Sequence, residues 1–343
     1  MEIMRHFSRE KRLFKCFKEE DGMDIITFLR NMRKEFDESN IDIFDYRKVL
    51  KPRLSPELRP PYMSNTYGNG YVLKRYSGYK GRANAVIEHG IRNINDTFNT
   101  HEYRDNPCKG LIVSSQKRAD FLKGLTSKKI LAIGPTIFYA NNIYDDFEME
   151  IIKHNLGKTL LLFPAHSDSN NCKTMYDDRE FIKYAKEVRE KWKFDTVLAC
   201  IYALDFRTGQ HLLYESENIP VVTAGNPYNK DFLDILKTII SISDGVLNCG
   251  FSTNVGYSIY LNKPVQIIEQ STVKNTSNFF EGLKEDIELY KHQSGILLNK
   301  AAGLFQEYTD VISNDQYQWS SDVFGYNDTK SPVELKDYFK SLR

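Results

Sequence analysis

Short apolar runs that end in small or polar residues recur along this chain and alternate with helical patterns. Continuous apolar runs of this kind are typical of strands buried on both faces of a parallel sheet. The runs lie at residues 85–90, 110–115, 130–135, 159–167, 196–201, 221–225, 245–250 and 264–268, and the clearest helical patterns lie at 177–192 and 229–243. Strand–helix alternation indicates βαβ units. A polar stretch divides the runs into two series, which predicts an α/β fold of two Rossmann-like domains facing a central cleft.

The length of the chain, 343 residues, suits two domains of about 150 residues each. We expect an N-terminal domain over residues 1–150, a C-terminal domain over 151–325 and a helix over 326–343 that docks back. Pro, Gly and Tyr dominate residues 51–81. This composition predicts an irregular loop without a helix inside the N-terminal domain.

The overall composition limits the partners and the compartment. The formal net charge is +1. Nucleic-acid binding requires a concentrated basic surface, so we expect no nucleic-acid partner. The five cysteines form no CxxC pair, and no apolar run approaches the roughly 20 residues of a membrane span. Both features favour a cytoplasmic protein. The basic residues 1–18 contain several Phe and Leu, which leaves open a peripheral membrane contact or a solvated helix.

The strongest ligand-binding pattern lies in residues 243–268. A buried strand runs into Gly250, and Ser252, Thr253 and Asn254 then begin a helix. Free N–H groups and about half a positive charge gather at a helix start, which favours a phosphate there. Ordinary capping of the helix by the same side chains is the alternative.

Three landmarks in this order resemble the signature of GT-B transferases that assemble capsules and teichoic acids, the CDP-glycerol glycerophosphotransferases and the β-Kdo capsule transferases. The landmarks are His89-Gly90, the PAHS segment at 164–167, and Ser252-Thr253 followed by a helix and Lys263-Pro264-Val265. The resemblance implies the GT-B fold. It also implies transfer of a sugar or polyol-phosphate group from a CMP-, CDP- or UDP-activated donor to a hydroxyl of a bacterial surface-glycan precursor, which is a glycan or lipid-linked acceptor.

Two departures from the family pattern concern the identity of the donor. Many relatives carry Glu or Asp where this chain has Ser258 and Ile259. Ile91-Arg92 replaces the Thr-Pro that commonly follows the His-Gly of the glycerophosphotransferases.

The ends of the predicted strands supply the candidate catalytic and binding residues, since ligands of parallel sheets bind there. His89 is the candidate general base, because an attacking hydroxyl must lose its proton, and Glu88 is the alternative base if the strand ends before it. His166 and Ser167 are expected to hydrogen-bond the donor phosphates. Gly225-Asn226 is expected to contact the nucleotide or to form a turn.

The acceptor side is predicted from loop composition alone and comprises Tyr71, Lys74, Arg75 and Arg92. The sequence has no DxD motif and no ligand-spaced His, Cys or carboxylate cluster, so we expect no metal and no cofactor besides the donor. Two other functions stay open at this point: a nucleotide-sugar epimerase or hydrolase of the same fold, and a non-catalytic nucleotide-sugar-binding scaffold protein.

Overall fold

A computed structural model describes most of the central and C-terminal parts of the chain. The described residues are 41–51, 66–88, 90, 94–95, 106–166, 174–175, 178–268, 274–275, 299, 301 and 303–343. They confirm the predicted α/β class, with two parallel, Rossmann-like sheets on either side of a cleft, which is the GT-B arrangement.

The first sheet has three parallel strands in the order β1-β2-β3. Its strands are β1 (Ala85–Ile87), β2 (Gly110–Val113) and β3 (Lys129–Ala132). The helices of this part of the chain are α1 (Tyr46–Val49), α2 (Asn69–Ser77), α3 (Gln116–Leu122) and α4 (Asp146–Leu156), with a 3-10 turn at Thr136–Tyr139.

The second sheet has five parallel strands in the order β7-β6-β4-β8-β9. Its strands are β4 (Thr159–Phe163), β6 (Thr196–Cys200), β7 (Val221–Val222), β8 (Gly245–Cys249) and β9 (Val265–Ile268), and β5 (Thr174–Met175) pairs separately with β10 (Lys274–Asn275). The remaining helices are α5 (Asp178–Trp192), α6 (Gln210–Ser216), α7 (Phe232–Ser241), α8 (Thr253–Tyr260), α9 (Asn314–Phe324) and α10 (Pro332–Lys340), with 3-10 turns at Asp205–Thr208 and Tyr326–Asp328.

The central strand β4 shows why the apolar runs form a sheet covered on both sides. Every residue of the strand is buried. Leu161 and Phe163 share a buried cluster with α7, while Leu160 and Leu162 share another with α5. Burial of each such side chain stabilises the fold by about 1.5–3 kcal/mol. Strand–helix alternation in the sequence therefore reflects two helical layers around one sheet.

The expectation of an irregular loop over residues 51–81 is wrong for residues 69–77, which form α2. Val72 and Leu73 are fully buried, so packing stabilises a helix that the Gly- and Tyr-rich composition alone does not favour. Gly68 precedes the helix and Gly78 follows it, and both have left-handed backbone. Arg75 donates to both carboxylate oxygens of Asp234, at 2.5 and 2.7 Å, which ties α2 to α7.

Segments near both ends of the described chain cross to the other half. Residues 41–51 contact the second half, where Asn229 Nδ2 donates to the Lys51 carbonyl at 3.1 Å. The C-terminal helix α10 lies on the first sheet, where Tyr338 donates its hydroxyl to the Lys129 carbonyl at 2.7 Å. Residues 41–51 also contact the first half, where the Ile43 N–H donates to the Tyr144 hydroxyl at 3.2 Å. The domain bounds stay a prediction.

Membrane crossing requires a helix that is both long and apolar. Within the described residues no helix combines the two.

Candidate active site

A cleft of about 560 Å³ lies at the carboxyl ends of both sheets. Its lining on the first sheet includes Glu88, Gly90, Ser114 and the 134–136 turn. On the second sheet the lining follows β4, β6, β7 and β8. Of the predicted site residues, those that line the cleft are Glu88, His166, Gly225, Gly250, Ser252, Thr253 and Asn254.

The strand order of the second sheet marks one point of the cleft for ligand binding. The chain enters at β4, runs outward through β6 and β7, and returns to β8 on the other side of β4. Ligands of open α/β sheets bind at such a reversal, outside the carboxyl ends of the strands. His166 follows β4 and the 250–253 turn follows β8, so both candidate phosphate-binding groups flank this point.

The N-terminus of α8 is built by two polar side chains. Ser252 is the N-cap, and its Oγ accepts a hydrogen bond from the Asn254 N–H at 3.2 Å. The same hydroxyl donates to Asn248 Oδ1 at 3.2 Å, and Asn248 Nδ2 donates to the Gly250 carbonyl at 2.6 Å. The Ser252 hydroxyl thus makes the capping contacts, and its contact with phosphate stays a prediction. The Val255 N–H donates to the Ser252 carbonyl at 3.1 Å, and the start of α8 presents the positive end of the helix dipole to the cleft.

The two halves of the cleft approach each other at this helix start. A Cβ atom placed on Gly90 would lie 4.0 Å from Thr253 Oγ1. Gly90 has a φ of +69°, in the left-handed region that favours glycine. Gly90 therefore faces the N-terminus of α8 at close range.

His166 is exposed at the cleft, and its neighbours fix the backbone that carries it. Its ring centroid lies 4.7 Å from that of Tyr202. Gln210 Nε2 donates to the carbonyl of the preceding Ala165 at 3.2 Å. Cys249 lies close to Ala165, and burial raises the pKa of its thiol to about 12. This thiol stays protonated near neutral pH, so it is not a thiolate nucleophile.

The Glu88 carboxylate has a partner that argues against its use as a base. Arg118 Nη2 donates to Glu88 Oε1 at 2.6 Å, and both side chains are almost fully buried. Arg118 Nη1 also donates to the Ile94 carbonyl at 3.0 Å. The alternative assignment of Glu88 as general base is corrected accordingly. A carboxylate that is paired with a buried guanidinium ties the end of β1 to α3 and to the Ile94 carbonyl.

Several predicted site residues lie elsewhere. Asn226 does not line the cleft, and its Oδ1 accepts from the Tyr228 N–H at 3.0 Å, which is the turn alternative. Tyr71, Lys74 and Arg75 are absent from the cleft lining as well. Helix formation turns them away, and Arg75 is held by Asp234. The predictions for His89, Arg92 and Ser167 fall outside the described residues.

Sequence reasoning gave no site role to four polar or aromatic residues that shape the cleft: Tyr67, Asn69, Tyr202 and Asn248. Asn248 could have been found, because a polar residue inside a buried apolar run requires hydrogen-bond partners. The other three reach the cleft only through tertiary packing. No group of three or more His, Cys, Asp or Glu side chains gathers among the residues that the structure describes.

No protein-family model matches this chain, and no curated protein matches it. Solved structures show a distant likeness. The wall teichoic acid polymerase TagF is 14% identical, with 75% of this chain and 67% of TagF covered and a TM-score of 0.43. The Methanocaldococcus jannaschii UDP-GlcNAc 2-epimerase, solved with UDP-GlcNAc and UDP, is 12% identical, with 75% and 80% covered and a TM-score of 0.34. A Medicago truncatula protein solved with UDP-glucose is 14% identical, with 68% and 50% covered and a TM-score of 0.27. TM-scores this low carry no argument about the chemistry.

Proposed function

We propose that this chain transfers a sugar or polyol-phosphate group from a nucleotide-activated donor of the CMP, CDP or UDP type. The proposed acceptor is a hydroxyl of a bacterial surface-glycan precursor, and the proposed transfer needs no metal ion. One observation carries the proposal. His166 and the N-terminus of α8 flank the reversal point of a Rossmann-ordered sheet, inside a cleft shared with a second sheet.

The departing nucleotide is the group that the second sheet can stabilise. Its phosphate gains negative charge as the transferred group leaves. The first N–H groups of α8 point their dipole at this charge, and the His166 imidazole supplies a hydrogen bond from the other side of the reversal point. Preorganised donors of this kind lower the barrier, because they need no reorientation during the reaction.

The acceptor hydroxyl would approach from the first sheet. Gly90 lies opposite Thr253, so a hydroxyl held on the loop after β1 would face a donor held on α8. His89, between Glu88 and Gly90 in the sequence, is the proposed general base. The buried Arg118 pairs with Glu88 and also donates to the Ile94 carbonyl, and these two residues lie on either side of His89 in the sequence.

Donor consumption with and without acceptor tests the proposal. CDP-glycerol, CMP-Kdo and UDP-sugars would be followed for nucleotide release, for the wild type and for His89→Ala and His166→Ala. We expect each substitution to lower turnover about a hundredfold or more. His154→Ala is the matched control, because His154 is exposed on α4, outside the cleft lining.

Three outcomes would contradict the proposal. Full activity of both His89→Ala and His166→Ala would exclude catalytic roles for these two residues. Donor consumption that is equally fast without acceptor would indicate an epimerase or hydrolase. Donor binding without consumption, across a broad acceptor panel, would indicate a scaffold protein.

A further inference from the structure

Asn69 is a buried polar residue at the cleft whose hydrogen bonding is incomplete. It is the first residue of α2, lines the cleft and is 8% exposed. Among the described residues its Oδ1 atom has no hydrogen-bond partner. Buried polar side chains are nearly always paired, so an unpaired one at a cleft calls for an explanation.

The turn that carries Asn69 is fixed to the second half of the chain. The Tyr67 N–H donates to the Pro227 carbonyl. A Cβ atom on Gly68 would lie 2.6 Å from the Lys230 carbonyl oxygen, so only glycine permits this approach. Tyr67 and Gly68 both have left-handed backbone, with φ of 60° and 70°. Asn69 is therefore held beside the loop after β7, on the same side of the cleft as α8.

Aromatic rings connect this turn to the proposed phosphate site. The Tyr67 ring lies 4.9 Å from Phe232 on α7, Tyr67 hydrogen-bonds Tyr202, and the Tyr202 ring lies 4.7 Å from His166. Flat aromatic walls with a few polar groups are suited to planar heterocycles. β6 stands two strands from β8, about 10 Å away at the spacing of a sheet. A nucleotide with its phosphates at α8 would extend its base toward these rings.

From this placement we infer that the Asn69 amide hydrogen-bonds the polar edge of the donor's pyrimidine base, whether that base is cytosine or uracil. The inference rests on the proposed function, since it assigns a base-reading group to the proposed donor. An amide both donates and accepts, so it can pair with either base. A carboxylate only accepts, so Asn69→Asp should favour cytosine, whose amino group donates, over uracil, whose carbonyl oxygen does not.

Calorimetric titration of the full chain with CMP, UMP, ribose 5-phosphate and pyrophosphate tests the inference. We expect Asn69→Ala to weaken CMP and UMP binding about tenfold while ribose 5-phosphate and pyrophosphate bind as before. Asn69→Asp should weaken UMP binding more than CMP binding, because a carboxylate can no longer donate to a uracil carbonyl oxygen. Asn142→Ala is the matched control, because Asn142 Oδ1 is also buried without a partner among the described residues but lies outside the cleft lining. The control should leave all four affinities unchanged.

Each contrary result points to a different failure. If the wild type binds CMP and UMP and the Asn69 variants bind them equally well, the inference is overturned and the proposed function stands. If the variants change only the dependence of turnover on acceptor concentration, Asn69 belongs to the acceptor side and the inference is again overturned. If the wild type binds neither nucleotides nor pyrophosphate, the proposed function itself fails.

Discussion

Replacement of Glu88 by Gln tests whether the Glu88 carboxylate has a structural role or a catalytic one. Gln keeps the shape of Glu, so no cavity forms and the charge alone is removed. The side chains of Arg118 and Glu88 are 1% and 3% exposed, so the substitution leaves a guanidinium buried without its counter-charge. Breaking a buried pair in this way costs about 3–5 kcal/mol. At about 2–4 °C per kcal/mol for a domain of this size, the melting temperature should fall by roughly 6–20 °C.

The assay is thermal unfolding followed by circular dichroism, with Glu217→Gln as the control. Lys186 and Glu217 also lie 2.6 Å apart, but their side chains are 45% and 44% exposed. An exposed pair contributes at most about 1 kcal/mol, so the control should change little. The combined Glu88→Leu and Arg118→Met variant should be more stable than either single variant, since it leaves no unpaired charge. A Glu88→Gln protein as stable as the control variant would refute the structural assignment.

Two further predictions concern packing and pH. Gly256→Ala should destabilise the fold by about 1–3 kcal/mol, because the added Cβ atom would lie 2.0 Å from the Phe324 ring. Gly303→Ala is the control for the same melting assay and should be neutral or stabilising, because its Cβ atom would meet open space. An unchanged melting temperature for Gly256→Ala would contradict the close contact between Gly256 and the Phe324 ring. Burial lowers the pKa of Lys263 to about 8 and raises the pKa of Tyr257 to about 12. The unfolding free energy should therefore rise from pH 8 to about 10, where unfolded lysine binds more protons, and fall above pH 10, where unfolded tyrosine loses its proton first. Urea titrations from pH 7 to 11 check this, and a Lys263→Met protein with the same rise would exclude Lys263 as its cause.

The parts of the fold that the sequence predicted are those specified by local pattern. The apolar run of β4 and the amphipathic pattern of α5 each carry their own signal, so the parallel sheet and its helices were predictable. The start of α8 was predictable for the same reason, since Ser252 is an ordinary N-cap residue. Their joint position at the cleft follows from the rule that ligands bind at strand ends.

The parts that were missed depend on contacts between distant segments. α2 forms in a Gly- and Tyr-rich stretch because Arg75 pairs with Asp234, which is 159 positions away. Glu88 resembles a catalytic base in the sequence, because no local pattern indicates that it pairs with Arg118, which lies 30 positions later. Asn69 carries no signal as a site residue, since only packing of its turn on the second half brings it to the cleft.

The most direct test of the central claim compares nucleotide binding by the wild type and Thr253→Asp in a thermal-shift assay. An acidic residue at the start of α8 complements the helix dipole and preserves the fold, but it repels a bound phosphate. We predict that CDP or UDP stabilises the wild type by about 2.7 kcal/mol at a hundredfold excess over Kd, and that Thr253→Asp loses this stabilisation without losing its own melting temperature. No shift with any nucleotide, or a shift of equal size in Thr253→Asp, would contradict the placement of the donor phosphates at α8.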